Sequence, residues 1–216
     1  MAPNTTKQAN KPRQRSRKLL FTPPSGGEYK VGDFDIICRS TPIPLYKIPR
    51  YLLQHPAIPG FHAPWLWCGW SGTDYLFKLV ETKYPDELVR DSWGEVGIYE
   101  SLFKLSYIVN KEFQIPEDFH RLVQVVDVAL PDGQVDLGLV IGSNFEGLLP
   151  FDVDYLGRIS RDLFDGREPE WMLDAYRWKW VPRDRGRRPE LPNPNEPKEY
   201  GPPPQFSPSL RRLLKN

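Results

Sequence analysis

The stretch VQVVDVALPDGQVDLGLVI, residues 123–141, decides the fold class of this chain. It contains two runs of mainly β-branched and aliphatic residues, 123–130 and 135–141, which are typical of strands. Between them lies the turn sequence PDGQ, in which Gly133 stands where a tight turn requires a positive φ. The pattern predicts an antiparallel hairpin. Together with the helical patterns around it, it predicts an α+β fold in which an antiparallel sheet packs against helices.

Weaker patterns on either side of the hairpin predict the remaining elements. Apolar spacing and start signals predict helices at 74–83 with Ser71 or Thr73 as cap, at 155–164 with Asp152 or Asp154 as cap, and at 170–180 after Pro169. Shorter helices are expected at 50–54 and 86–91. Apolar and β-branched runs predict strands at 34–39 and 98–109. Residues 55–72 are expected to form a long ordered loop that leads into a buried apolar segment.

The composition indicates one folded domain between two extensions. The chain has 216 residues, of which 39% are hydrophobic and 13% aromatic, enough to form a core. We expect a disordered basic arm and a Pro/Gly linker over residues 1–32, a single α+β domain over 33–180, and an extended Pro- and Arg-rich tail over 181–216. No apolar segment has the length of a membrane span, so any membrane contact is expected to be peripheral.

Charge is segregated along the sequence. Residues 21–176 hold 13 Lys and Arg against 24 Asp and Glu, whereas residues 177–216 hold 10 against 4. The first 20 residues contain six basic side chains and no acidic one: Lys7, Lys11, Arg13, Arg15, Arg17 and Lys18. An acidic body with basic ends favours contact with nucleic acid, with an anionic membrane surface or with further copies of the chain. Charge alone does not separate lipid from RNA, because both contacts are salt-dependent.

A second group of basic residues begins near the end of the domain and consists of Arg177, Lys179, Arg183, Arg185, Arg187 and Arg188. Trp178 and Trp180 lie among them. The pattern fits equally a membrane or nucleic-acid contact and a helix end that packs on the body. No basic residue lies within the run of Trp65, Trp67 and Trp70, which favours core or protein contact over a platform for stacking bases.

The sequence contains no constellation of catalytic residues, and we expect no enzyme activity, no cofactor and no metal. His55, His62 and His120 lie in or near loops without the spacing of metal ligands. The sequence GWSGT, residues 69–73, lacks the lysine of a phosphate-binding loop. Cys38 and Cys68 form neither a disulfide framework nor a metal-ligand pair, so we expect buried thiols in a reducing compartment.

Four features of the sequence occur together in one known family. They are the basic arm with its Pro-containing linker, the predicted strand 34–39 running into LYKI and a helix at 50–53, the Gly-containing turn and aromatic-aliphatic helix over 69–80, and IPEDFHR (115–121) directly before the hairpin. In these features the chain resembles the rhabdovirus matrix proteins of vesiculoviruses and lyssaviruses. The resemblance covers residues 1–145, and IPEDFHR is its most specific part.

The resemblance implies a viral structural protein that is not an enzyme. Family members have a disordered basic arm and a compact α+β domain, and they bind the inner leaflet, condense the nucleocapsid, self-associate and drive budding. Membrane and nucleocapsid binding is carried over to the six basic residues from Lys7 to Lys18. The implied partners are the nucleocapsid and its RNA, the anionic inner leaflet, further copies, the viral glycoprotein tail and host budding factors. The implied locations are the virion, the host cytoplasm, the inner face of the host membrane and the host nucleus.

Two features depart from the family pattern. Many members recruit budding machinery through a PPxY motif, and here no tyrosine follows Pro23 and Pro24 at the required place. The candidates for a degenerate late domain are therefore Pro23 and Pro24, together with Tyr99 and Leu102 of a YxxL sequence. The Pro- and Arg-rich segment after about residue 181 is also longer than the family predicts.

Two other classes of protein remain open at the level of sequence. One is a nucleic-acid-binding structural protein, such as a small capsid protein or an organellar ribosomal component with tails threaded along RNA. It would bind RNA tightly without lipid and without self-assembly. The other is a small enzyme, which would need a pocket with convergent polar groups.

Overall fold

The computed structural model describes residues 21–23, 29–30, 32–53, 60–149, 154–182 and 205–206. Its helices are α1 (Asp33–Cys38), α2 (Thr73–Lys83), α3 (Ile98–Glu112), α4 (Glu117–His120) and α5 (Tyr155–Phe164). Its strands are β1 (Ile43–Pro44), β2 (Phe61–His62), β3 (Leu66–Ser71), β4 (Gln124–Ala129), β5 (Gln134–Ser143), β6 (Gly147–Leu148), β7 (Glu170–Asp174), β8 (Val181–Pro182) and β9 (Gln205–Phe206). Single 3₁₀ turns occupy Leu45–Lys47, Arg50–Leu52 and Pro85–Glu87. The fold is α+β with an antiparallel sheet, as the sequence predicts.

The main sheet closes on itself. The predicted hairpin is confirmed, since β4 pairs with β5 along its whole length. β5 pairs with β3, and β3 pairs with β7, in each case antiparallel. β7 pairs in turn with β4 through Val128↔Asp174 and Ala129↔Leu173, so these four strands form a ring of pairings. β1 lies beside β7, β6 and β9 lie beside β5, and β2 and β8 form a separate two-stranded ribbon.

Glycines allow this ring of strands to be small. Gly69 on β3 approaches β5 so closely that a Cβ atom there would lie 2.1 Å from the carbonyl oxygen of Leu139. A Cβ atom on Gly138 would lie 3.3 Å from Cε of Met172, although β7 and β5 are not paired with each other. This contact spans the ring, so the face that carries Gly138 points inward. The buried apolar residues of that face are Trp67, Val128, Val140 and Met172.

The helices pack against the outer face of the ring and form the main core. Alternate residues of β3 and β5 point outward and are buried: Leu66, Cys68, Trp70, Leu137, Leu139 and Ile141. α2 and α3 meet them with Leu76, Val80, Leu102 and Leu105, each fully buried. On α5, Phe164 stacks on Trp70 with ring centroids 4.3 Å apart. The amphipathic faces of these helices therefore determine where they sit on the sheet.

A buried carboxylate joins α2 to the hairpin. Asp136 of β5 accepts hydrogen bonds from the hydroxyl and, at 3.3 Å, from the backbone N–H of Thr73. It also accepts from the N–H of Leu137 at 2.9 Å. The prediction that Ser71 or Thr73 caps this helix is wrong, because the N-cap is Gly72, which has no side chain to accept a hydrogen bond. The acceptor comes instead from the neighbouring strand, and its negative charge suits the positive end of the helix dipole.

The segment at 34–39, predicted as a strand, is the helix α1. Ile37 and Cys38 are buried next to each other while Asp35 and Ile36 are exposed, and a strand that alternates its side chains cannot produce this pattern. Asp33 and Asp35 stand in the first turn, where carboxylates stabilise a helix. The β-branched residues in the segment were therefore a misleading signal, since tertiary packing overrides intrinsic preference.

The strand predicted at 98–109 and the helix predicted at 170–180 are also wrong. Residues 98–112 form α3, whose buried positions Leu102, Leu105 and Val109 recur at helical spacing. Residues 170–174 form β7, where Trp171 to Asp174 are all buried and hydrogen-bonded partners lie on both sides. Burial on both faces removes the alternation of apolar and polar residues by which a strand is recognised. Pro169 and the helical spacing of the tryptophans after it therefore suggested a helix.

The remaining predictions agree more closely with the structure. α2 and α5 occupy the predicted segments, and the carboxylate of Asp154 caps α5 by accepting from the N–H of Gly157 at 3.0 Å. Single 3₁₀ turns replace the short helices expected at 50–54 and 86–91. The apolar segment expected within residues 55–72 is the buried strand β3. Phe21 and Tyr29, which the sequence assigns to the linker, pack on the body of the domain.

We predict that Gly69→Ala lowers the free energy of unfolding by about 3 kcal/mol or more, because its methyl group would collide with the backbone of β5. Gly97→Ala is the matched control. Its Cβ would meet only the carboxylate end of Glu100, which can move, and the φ of Gly97 is −73°. The control should change stability by less than about 1 kcal/mol. Urea denaturation measures both, and equal losses would contradict a ring that depends on Gly69.

Candidate interaction surface

Most of the predicted basic residues lie outside the described residues. These are Lys7, Lys11, Arg13, Arg15, Arg17 and Lys18 of the arm, and Arg183, Arg185, Arg187 and Arg188 of the second group. Pro24 and His55 also lie outside the described residues. The structure therefore places Arg177 and Lys179 of the second group, and Pro23, Tyr99 and Leu102 of the late-domain candidates.

Arg177 is bound within the body of the protein. Its Nη2 and Nε donate to Oδ2 of Asp174 at 2.6 and 3.0 Å. The guanidinium lies over the ring of Trp65, 3.9 Å from the centroid, and 5.1 Å from the centroid of Trp67. Asp174 is buried and also accepts from Nε1 of Trp67 at 2.8 Å and from the N–H groups of Tyr176 and Arg177. Arg177 therefore neutralises a buried carboxylate at the end of β7.

The tryptophans beside Arg177 are buried and do not lie on a helix. Trp178 and Trp180 are 8% and 3% exposed, which excludes a place for either ring in a membrane interface. Trp178 packs edge-on against Tyr29 at 4.9 Å between centroids, and the hydroxyl of Tyr29 accepts from the N–H of Trp180 at 2.6 Å. Nζ of Lys179 lies 5.2 Å from the ring of Trp178 and 6.0 Å from that of Tyr29. Trp178 and Trp180 therefore pack on the body, although the segment is not the helix end that the sequence predicts. Contact of the second basic group with a membrane or with nucleic acid stays a prediction.

The tryptophans at 65–70 also belong to the packed interior. Trp67 and Trp70 are 3% and 1% exposed, and Nε1 of Trp70 donates to the carbonyl oxygen of Arg167 at 2.7 Å. Trp65 is half-buried and stacks on Phe145 with centroids 4.7 Å apart. The preference for core contact over a base-stacking platform is confirmed for this cluster.

The YxxL sequence lies on the first turns of α3. Leu102 is fully buried, and Tyr99 is half-buried against Phe103, with centroids 4.6 Å apart in an edge-on arrangement. Burial raises the pKa of the Tyr99 phenol, and the nearby charge of Asp127 raises it further. A linear motif must be accessible as an extended peptide, which a helix with a buried leucine does not offer. Pro23 is half-buried.

Both cysteine thiols are buried, and their surroundings make them unreactive. Cys38 and Cys68 are both fully buried and are not bonded to each other. Burial raises the pKa of Cys38 to about 12, and it raises the pKa of Cys68 as well. Since the thiolate is the nucleophilic form, neither side chain is poised for nucleophilic chemistry. Over the described ranges, no group of three or more His, Cys, Asp or Glu side chains is placed to hold a metal ion.

Trp93 stands at the tip of a well-defined loop. It is 87% exposed, the highest value among the large apolar side chains that the structure describes. Oδ1 of Asp91 accepts from the N–H groups of Trp93 and Glu95 at 2.8 and 3.0 Å. Arg90 and Val96 form a bridge at the base of the loop, and Arg90 also donates to the carbonyl oxygen of Gly94 at 2.9 Å. The carboxylates on either side of Trp93 disfavour contact with an anionic bilayer.

A second exposed aromatic surface lies on α3. Phe103 and Tyr107 are 43% and 62% exposed and stand four residues apart, on the face opposite the buried residues of the helix. Lys104 and Lys111 are exposed on the same side. This surface and the Trp93 loop both expose large apolar side chains, which suits contact with another protein.

Several basic side chains of the body contact groups of the body itself. Arg161 lies 3.7 Å from Asp154, and Lys104 lies 3.6 Å from Glu87. The guanidinium of Arg158 lies 5.5 Å from the ring centroid of Phe113. These ion pairs are exposed and weak, but they reduce the positive charge that the body presents.

Comparison with known proteins gives no relative. No protein-family model matches the chain, and no curated protein and no solved structure matches it significantly. Within the described ranges, no helix is long and apolar enough to cross a membrane.

We predict that Asp174→Ala destabilises the protein more than Arg177→Ala. Removal of Asp174 leaves the Arg177 guanidinium and the Trp67 N–H without their acceptor, at a cost of about 3 kcal/mol or more. Removal of the Arg177 side chain leaves Asp174 with three N–H donors, so the expected loss is about 1–2 kcal/mol. Chemical denaturation of the two variants tests the order, and the opposite order would contradict the role given to the carboxylate.

Proposed function

We propose that this chain is a matrix-type viral structural protein, which links the ribonucleoprotein to the inner face of a membrane and promotes assembly and budding. The observation that carries the proposal is the separation of charge along the chain. Six basic residues and no acidic one occupy residues 1–20, while residues 21–176 hold 24 acidic and 13 basic side chains. Such a chain can hold two polyanions together through its ends without binding them through its body.

The contacts of the body support this division. Arg177 neutralises Asp174, and Arg158 and Lys179 lie against aromatic rings. A guanidinium used in this way is oriented by its partner and contributes less to the field outside the protein. The Lys and Arg residues of the N-terminal arm therefore carry the membrane and nucleocapsid contact in this proposal, with the C-terminal group from Arg183 to Arg188 as the second cationic segment.

The binding free energy of one arm is too small to hold a single copy stably on a membrane. Each Lys or Arg close to an anionic bilayer contributes about 1 kcal/mol, so the arm contributes about 6 kcal/mol in total. That free energy corresponds to a dissociation constant on the order of tens of micromolar for one copy. Stable attachment then requires copies that associate with one another and bind as a group. Self-association is therefore part of the mechanism.

The body contributes protein contacts and not lipid insertion in this proposal. The tryptophans at 65–70, Trp178 and Trp180 pack inside the domain. Trp93 is exposed, but Asp91 and Glu95 flank it, and they would be repelled by anionic lipid. The Trp93 loop and the aromatic face of α3 are better placed for contact with another copy, the glycoprotein tail or a host budding factor.

The resemblance to rhabdovirus matrix proteins supports the proposal as a similarity of sequence. The aromatic-aliphatic segment contains the helix α2, and IPEDFHR contains α4 and precedes the hairpin. The basic arm lies outside the described residues, and the segment at 34–39, which was expected to be a strand, is helical. The charge separation does not depend on that segment, so the proposal stands on the arm.

The alternative is a nucleic-acid-binding structural protein, such as a small capsid protein or a ribosomal component. The same six basic residues favour it, because they can bind RNA, with release of its counterions, as well as they can bind anionic lipid. In that case the protein would bind RNA tightly, would not bind anionic vesicles and would not self-associate.

We predict that changing all six basic residues of residues 1–20 to glutamine reduces sedimentation with anionic vesicles at least about tenfold at low salt and weakens the dependence on salt. The matched control removes six exposed basic residues from the body: Lys30, Arg39, Lys47, Arg50, Lys78 and Lys111. The control has the same net charge as the arm variant. It should keep most of its binding if the arm carries the contact.

Neutral vesicles and RNA complete the experiment. Binding to anionic vesicles and to RNA, with both lost in the arm variant, is the expected result. Equal losses in the arm variant and the control would mean that net charge alone matters and would contradict the proposal. Binding to RNA without binding to vesicles would select the alternative function.

A further inference from the structure

The first residues of β5 extend past the strand beside them. On one side β5 is paired with β4 from Val135 to Val140. On the other side β3 reaches only to Gly138, which pairs with Ser71. β3 therefore offers no partner to Gln134 and Val135, and the start of β5 is a sheet edge at which another strand can pair. In the structure that place is taken by β9, which pairs in parallel as Gln134↔Gln205 and Val135↔Phe206.

The pairing of β9 is of a kind that opens readily. It is two residues long, and parallel pairs have less favourable hydrogen-bond geometry than antiparallel ones. In the sequence it follows every strand of the ring. A segment held by so few backbone hydrogen bonds exchanges between bound and free states without unfolding the domain.

The connection to β9 is long enough to reach another molecule. Residues 183–204 separate β8 from β9, and seven of these 22 residues are proline. Twenty-two residues span at most roughly 75 Å when fully extended. A domain of about 150 residues has a radius of gyration of roughly 15 Å. A connection of this length permits β9 to meet the edge of a neighbouring domain as well as its own.

We propose that the strand Gln205–Phe206 is exchanged between copies, so that it pairs with the β5 edge of a second copy and links the molecules into chains. Strand addition to an open edge is a general mode of peptide binding in which backbone hydrogen bonds supply the affinity. Exchange is favoured where copies are concentrated, since the local concentration of neighbouring tails then rivals that of the molecule's own tail. The inference rests on the self-association in the proposed function, and it names the contact by which copies join.

Cross-linking between two single-cysteine variants tests the exchange. Gln134→Cys and Gln205→Cys proteins are mixed and treated with a short bismaleimide, and the linked peptides are identified by mass spectrometry. A link between positions 134 and 205 can then form only between molecules. The native Cys38 and Cys68 are buried and react slowly, and the unsubstituted protein serves as the reagent control.

The matched control pairs Gln205→Cys with Ser92→Cys, an exposed position in the Trp93 loop that belongs to no strand of the sheet. We expect the 134–205 link to exceed the 92–205 link at least about tenfold and to increase with protein concentration. Equal yields of the two links would overturn the proposal. So would a link that forms efficiently within the double variant Gln134→Cys/Gln205→Cys but never between molecules.

Truncation after Pro204 provides an independent measurement. We expect the truncated protein to sediment as smaller species at high concentration while its circular dichroism spectrum is unchanged. Assembly that is unaffected by truncation would overturn the proposal. Contact of one arm with anionic vesicles does not require β9, although loss of self-association is expected to weaken vesicle binding. An untruncated protein that binds no anionic vesicles would count against the proposed function, whereas failure of the cross-link alone counts against strand exchange.

Discussion

The pairing of β7 with β4 is the constraint on which the rest of the structure depends. It closes four strands into a ring, in which a Cβ atom on Gly69 would collide with the backbone of β5 and one on Gly138 would lie only 3.3 Å from Met172. Closure turns one face of every strand inward and the other toward the helices. Asp174 stands at the closing pair, and its carboxylate gathers Trp67 and Arg177 around the same point. The position of α2 follows in turn, because Asp136 of the hairpin accepts from Thr73 at the start of that helix.

Local signals predicted the parts of the fold that local interactions determine. The hairpin at 123–141 carries its own turn sequence, and α5 carries its own cap at Asp154. The strand β7 could not be recognised in this way, because its partners are distant in sequence and bury both of its faces. The helix α3 did carry a helical period in its buried residues, and an excess of aliphatic and aromatic side chains concealed it. Tertiary pairing therefore decided the elements that sequence patterns assigned wrongly.

The sequence likewise predicted one part of the candidate site and not the other. The charge of the arm is a property of composition and could be read directly from the sequence. The ion pair of Arg177 with Asp174 could not be predicted from the sequence. Asp174 is only three residues away, but it becomes a buried carboxylate only when the ring closes. The same holds for Trp178 and Trp180, whose neighbour Tyr29 comes from the opposite end of the domain. The exposed loop around Trp93 gave no signal beyond the short polar residues that form its turn.

The distribution of the seven tryptophans gives the protein an internal optical reporter. Six of the indole rings are buried or half-buried, and Trp93 alone is exposed to the extent of 87%. An aqueous quencher of fluorescence such as iodide should therefore extinguish a small, red-shifted fraction of the emission and leave the remainder. That fraction reports on the surroundings of a single loop without any label. A partner that covers the loop would protect the emission of Trp93 from the quencher, and the quenched fraction would fall.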